Sequence, residues 1–305
     1  MPAPYTGSAT AVAATNSLVN GLVEPIALQV LHEVPSDNPL YEVFAREYVD
    51  SAAEIEEIII GDANLETYDA TGATTLAPRT VDTWARFYND YTHHVYTTTV
   101  RENEIRKISL NPENKNKFIA TLVSGLQRKR DDTNFAEQKA VLANVASTYT
   151  ALQSATITSA TPEEMGEELT VEVRNLIDSF LFKNTDWVAY NIGNSVDPIP
   201  QRAYLEQIRI IIPYEVKNAL NIGYLANVYN LEKTELLSKF VTIDTTDGLV
   251  YVVDKRSLFR FPQTDELLDQ VNAEGAFRTF FLHDNAMTGF SPLFKFAFID
   301  ASAMV

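Results

Sequence analysis

The chain has 305 residues, 46% hydrophobic and 21% charged. That balance can bury a sizeable core in one large domain or two, and it is too apolar for a disordered protein. The 41 Asp and Glu against 24 Lys and Arg leave a formal net charge of -17, which argues against a dedicated nucleic-acid binder, whose affinity rests on cations displacing counterions from phosphates. No cysteine is present, so a disulfide framework, a thiolate metal site and a cysteine nucleophile are excluded. The amino terminus lacks the basic start and apolar core of a signal peptide, and no run approaches bilayer-crossing length. The expected compartment is the cytoplasm of the producing cell, with no membrane partner.

From residue 1 to about Gly21 the chain is rich in Ala, Thr, Ser and Asn, nearly uncharged and without a period. Alone it buries too little apolar surface to offset its ordering entropy. Leu22 to Val34 is punctuated by Pro25 and Pro35, and Leu40 to Val49 carries Tyr41, Phe44 and Tyr48 at helical spacing. Glu54 to Gly61 is acidic and then β-branched, the pattern of a strand ending at glycine. Asp62 to Ile108 is looser, with turns at Thr71-Gly72 and Pro78, but Thr92 to Val100 predicts a long strand with one exposed face. A long hairpin with little burial invites pairing with other chains.

Three helical patterns follow. Pro112 stands near a start, and Phe118, Ile119, Leu122, Val123 and Leu126 form a stripe ending in Arg128-Lys129-Arg130, a cluster suited to a helix carboxy terminus. Phe135, Leu142, Val145 and Tyr149 keep the same period. Thr161-Pro162-Glu163-Glu164 is a capping signal that opens a third helix, with Leu169, Val173, Leu176, Ile177 and Phe180 on one face. Gln153 to Ala160 reads as a Ser/Thr-rich connector, and Asn191 to Gln201 as the clearest linker-like break. Beyond it come a buried-type strand at Ile208 to Ile212, a helix at Asn218 to Tyr229, a strand at Phe240 to Asp244 and the turn Thr245-Thr246-Asp247-Gly248. Leu249 to Val253 is a strand closed by Asp254-Lys255-Arg256, and Leu258, Phe259 and Phe261 start another. Pro262 and Asp265-Glu266 then open a short helix with Leu267, Leu268 and Val271 on one face. Phe277 to Leu282 is a buried or interface run, His283-Asp284 and Gly289 mark a turn, and Leu293 to Ile299 is a strand with Phe294, Phe296 and Phe298 opposite Lys295. Helices and strands are mixed without regular alternation or repeat, which predicts the α+β class.

No catalytic, cofactor or metal site is legible. The chain has no phosphate-cradling glycine loop, no G-x-S-x-G elbow and no H-E-x-x-H helix. Among 4 histidines, His93 and His94 are neighbours on a strand and point to opposite faces, a poor arrangement for one metal. His283-Asp284 has no nucleophile in recognisable context and reads as a turn or packing pair. Glu56-Glu57, Glu163-Glu164 and Glu167-Glu168 sit where helix starts and solvated faces put them, and Asp131-Asp132 offset the basic cluster at 128–130.

One resemblance organises the carboxy-terminal third. The strand ending Val253-Asp254-Lys255, the aromatic pair after it, the Asn272-x-x-Gly275 step, the aromatic run to His283 and the Ser291-Pro292-x-Phe294 strand occur in a familiar order. With Ile210-Ile211-Ile212-Pro213 leading into Leu225-Ala226 and Tyr229-Asn230, this resembles the major capsid proteins of small tailed phages of the phi29 type, in the HK97-like shell fold. The resemblance implies an amino-terminal arm over 1–50, a peripheral domain over 51–61, 109–200 and 285–305 with a long spine helix, an extended E-loop over 62–108 and an axial domain over 201–284. It implies a structural protein and no enzyme: a subunit that pairs with itself as hexamers and pentamers of an icosahedral head enclosing double-stranded DNA, assembled in the host bacterial cytoplasm. Portal and scaffolding proteins are the implied partners, DNA lies near it without specific contact, and acid on an inner wall would keep that DNA from adhering. Tyr88, Tyr91, Tyr96, Phe277 and Phe281 are candidate interface anchors. An encapsulin-type compartment shell and an α+β enzyme on an unrelated fold are the competing expectations.

Overall fold

A computed structural model describes residues 38–46, 54–60, 83–101, 112–183, 202–245, 247–272 and 277–305. The expected arm before Gly21, the Leu22 to Val34 segment, Gly275 and the linker at 191–201 lie outside the described residues. The chain divides into two compact units, one formed by 1–38, 92–136 and 264–286, the other by 39–91, 137–263 and 287–305.

In the first unit, strand β4 (Thr92–Arg101) pairs antiparallel with β10 (Phe277–Phe290), whose residues 277–286 belong to this unit. Leu282 stands opposite Tyr96 and Phe280 opposite Thr98. Burial along β10 alternates strictly from Arg278 through Ala286, the period of a half-buried strand. Helix α1 (Pro112–Thr148) covers the inner face, and Val123 and Leu126 join Tyr96, Val100, Phe280 and Leu282 in one core.

This helix corrects the sequence reading. The two expected patterns are one helix of 37 residues, because Arg128 to Asn134 contains no proline or glycine to break it. The basic cluster therefore lies mid-helix, where Arg130 and Asp131 are buried while Arg128 and Lys129 are exposed. The short helix expected after Pro262 is absent as well. Residues 265–271 continue strand β9 (Leu258–Asn272), hydrogen-bonded beside β10, and Asp269 forms an ion pair with Arg278. His283-Asp284 and Gly289, expected as a turn, lie inside β10.

The second unit is built on a five-stranded sheet ordered β5 (Gln153–Thr156), β11 (Phe296–Asp300), β8 (Leu249–Asp254), β6 (Ile208–Pro213) and β7 (Phe240–Ile243). The β5/β11 and β6/β7 pairs are parallel, and β11/β8 and β6/β8 antiparallel. Strand β5 occupies part of the segment read as a connector. On one face of the sheet Val250, Val252, Ala297, Ile299, Ile210 and Ile212 pack under helix α2 (Pro162–Leu181). Helix α2 starts as expected: Thr161 caps it, accepting from Glu164 N, with Pro162 in the first turn. All five residues of its predicted stripe are buried.

The helix expected over Asn218 to Tyr229 is shorter, α4 (Ile222–Val228), preceded by a separate turn of helix α3 (Tyr214–Lys217) and followed by α5 (Lys233–Leu237). Asn218 closes α3, and Asn221 caps α4, its side-chain oxygen accepting from Tyr224 N at 3.0 Å. Gly166 of α2 is needed at this joint, since a Cβ there would stand 2.6 Å from the Ala219 carbonyl oxygen. On the other face of the sheet, Tyr251, Phe296, Phe298 and Phe290 form an aromatic layer with ring centroids 5.1 to 6.3 Å apart. Of the helical spacing read over 40–49, Tyr48 lies outside the described residues, and the described part forms a short 3-10 turn (Pro39–Glu42) and β1 (Ala45–Arg46), which pairs parallel with β9 at Phe259.

Candidate functional site: outward-facing strands and apolar surfaces

Strands β2 (Ile55–Ile60) and β3 (Thr83–Tyr88) form an antiparallel two-stranded ribbon, with Ile55 opposite Tyr88 and Glu57 opposite Arg86. A ribbon this small is marginal alone and needs an anchor on one face. Glu57 supplies it, accepting from Tyr88 OH at 2.8 Å and from Ser291 Oγ at 2.6 Å. The Tyr88 ring meets Phe259 edge-on at 4.9 Å, and the Arg86 guanidinium lies 5.1 Å from the Tyr88 ring centre. Burial, then the Glu57 carboxylate, push the Tyr88 hydroxyl up, so it stays a proton donor through the ordinary pH range. Glu56 and Glu57, adjacent in sequence, point to opposite faces of the ribbon and do not form a carboxylate pair.

The opposite face is open to solvent and carries Glu56 beside two large apolar side chains. Ile58 is 63% exposed and Phe87 57%, and they are diagonal neighbours, since Phe87 stands opposite Glu56 and Ile58 opposite Ala85. Two large apolar side chains side by side on a pinned ribbon make this face a candidate contact surface. Sequence reading placed Tyr88 among the anchors and passed over Phe87; the alternation becomes decisive only once β3 is known to pair with β2.

Of the other candidates, Tyr96 is core, whereas Phe277 keeps an exposed edge and Tyr91 and Phe281 are half-buried. His93 and His94 do face opposite ways. His93 Nε2 lies 3.2 Å from His283 Nδ1 on the open face of the β4/β10 ladder. Asp284 is buried on the inner face and accepts from Asn134 Nδ2 at 3.3 Å, a packing role. Among the described residues no group of three His, Asp or Glu is placed to hold a metal ion, and no helix is long and apolar enough to cross a membrane.

Glu163 and Glu164 lie in the first turn of α2, where the helix dipole favours them. Glu168, further along the same helix, ties down the segment that precedes it. Its Oε2 accepts from Ser159 Oγ at 2.7 Å, Ser159 N at 3.1 Å and Thr158 N at 3.2 Å. The Ser159 hydroxyl and amide hold this carboxyl below its ordinary value. The folded state thus prefers the ionised form, and the bonus is present above the ordinary carboxylate range and lost as pH falls through the lowered folded value. Glu168→Gln is expected to lower Tm at neutral pH, with the gap to the parent closing in acid; a gap independent of pH would show that ionisation is irrelevant.

A second exposed surface lies on α2 and α4. Arg174 Nη1 donates to Tyr224 OH at 2.8 Å, and Val171 and Val228 remain exposed beside the pair. Within the second unit, between its part of α1 (137–148) and the β7–β8 turn, an open hollow of about 330 Å³ is lined by Leu142, Tyr251, Thr245 and Asp247, with Lys139 and Asp244 paired at 3.0 Å across it. Neither place combines a nucleophile with a base.

Comparison with known proteins adds a family. A model described as "Phi29-like phage major capsid protein" matches residues 6–299. A major capsid protein of Bacillus phage GA-1 is 23% identical over 274 residues, covering 88% of this chain and 57% of that relative. One of Bacillus phage PZA is 21% identical, covering 88% and 60%. The chain therefore spans less than two thirds of the curated relatives it matches. Among solved structures, a chain of the Staphylococcus phage Andhra capsid superposes with a TM-score of 0.70 at 13% identity, covering 88% of this chain and 85% of that one.

Proposed function

The chain belongs to the Phi29-like phage major capsid protein family, and from that premise we propose that it is the repeating subunit of an icosahedral phage head around double-stranded DNA. The match over residues 6–299 carries this reading, and the mixed α+β fold is the HK97-like fold of phage capsids. Its relatives are capsid proteins, and its work is association, not catalysis. Subunits gather as hexamers and pentamers, with the stretch at 1–50 as an arm and 62–108 as the E-loop. The pinned ribbon with Ile58 and Phe87 outward supports a contact made by the base of that loop. Portal and scaffolding proteins are its partners, and the virion capsid is its place after assembly in the host cytoplasm.

Purified chain, alone and co-expressed with a scaffolding protein, is expected to give closed shells or sheets of hexamer-like rings by size-exclusion chromatography and electron microscopy. A compact monomer or dimer unchanged by salt, concentration and scaffold would overturn the proposal.

A further inference from the structure

We propose that His93 and His283 form a two-histidine site for a divalent transition ion of the zinc, nickel or copper type on the open face of the β4/β10 ladder. The two rings come from strands 190 residues apart in sequence and meet with Nε2 and Nδ1 at 3.2 Å, ring centres 5.4 Å apart and planes 30° apart. Two nitrogens bound to one tetrahedral zinc at about 2.0–2.1 Å stand about 3.3 Å from each other. The backbone register already sets that span: Asn285 pairs with His93 and Val95 with His283, so the histidines are diagonal neighbours on one face.

In the neutral pair one ring donates its N–H and the other accepts. For both facing nitrogens to offer lone pairs to the metal, the donor ring carries its proton on its other nitrogen instead, a tautomer shift exchanged through solvent, so both ligands remain neutral imidazoles and no net proton is released. His93 is exposed and His283 half-buried, so the rings can turn their lone pairs toward a common point and water can fill the remaining positions. The side chains sharing these rungs are Val95, Thr97, Phe281 and Asn285, none of them cationic, and Asn285 places a carboxamide directly across from His93. Two imidazoles without a carboxylate select borderline transition ions and not Mg²⁺ or Ca²⁺. His94, one residue away, faces the other side of the sheet and serves as the internal control.

The test is calorimetric titration of purified full-length chain with zinc chloride and, separately, magnesium chloride. One zinc per chain and no magnesium response are expected. His93→Gln and His283→Gln should each weaken zinc at least about tenfold, and His94→Gln should not. In the parent protein, zinc should shield His93 and His283 from diethyl pyrocarbonate, read by mass spectrometry, and leave His94 reactive, a readout that survives if a variant folds poorly. Equal affinity in the three variants, absence of zinc binding, or shielding of His94 alone would overturn the site.

Discussion

Replacing Ile58 and Phe87 together by aspartate is expected to leave a folded chain that no longer forms shells. Both side chains stand well out of the ribbon, at 63% and 57% exposure, so little folding energy rests on them, while the ribbon is held from its other face by Glu57, Tyr88 and Ser291. Apolar anchors at an interface centre are worth about 2 kcal/mol each. Losing two, about 4 kcal/mol, raises the concentration needed for association roughly a thousandfold, and each carboxylate adds a desolvation cost. Electron microscopy at a concentration where the parent assembles reads the result, with the urea midpoint as folding control. Shells at the parental concentration would remove the ribbon from the assembly contact.

Phe180→Ala is expected to be the most damaging single substitution for folding. Phe180 is fully buried near the end of α2, against the sheet carrying Val250, Val252, Ala297 and Ile299. Its backbone carbonyl accepts from Ala203 N at 2.9 Å, fixing the ring where it cannot be replaced by small shifts. Truncating a buried phenylalanine costs about 3–5 kcal/mol, a large share of the roughly 5–15 kcal/mol that holds a domain folded. The ring also faces the buried Lys295 ammonium, 5.8 Å from its centroid, so the variant strips an aromatic face from a cation removed from water. Urea unfolding measures the loss; a change below about 1 kcal/mol would contradict the packing described.

Local chemistry was legible where one signal acted alone. Thr161-Pro162 fixed the start of α2, and the stripe from Leu169 to Phe180 identified its buried face, because cap and periodicity agree there. The order of features from Val253 to Phe294 pointed to the family to which the chain belongs. What failed was arbitration between periods. Leu267, Leu268 and Val271 suit a helix, but residues 265–271 pair as strand beside β10, and only Leu267 of the two leucines turns inward. Gly289 reads as a turn until Phe259 is seen beside it: a Cβ there would stand 2.6 Å from the ring, so the glycine makes room for an aromatic neighbour within a strand. The pairing of His93 with His283, and the outward face shared by Ile58 and Phe87, depend on cross-strand register, which no local spacing reveals.

The strand order of the second unit has a consequence for how the protein is made. β11, the last strand of its sheet to be synthesised, lies between β5 and β8. Until residue 300 has cleared the ribosome exit tunnel, β5 has no neighbour in this sheet and β8 presents an open edge, and such edges recruit other strands. The sheet therefore closes at the end of translation of this region, after α2 and the strands before β11 have been waiting for seconds at ordinary elongation rates of about 5–20 residues per second. A chain released by a ribosome stalled before Phe296 cannot fill the gap from its own sequence, and is left with β5 unpaired in this sheet and β8 open at one edge.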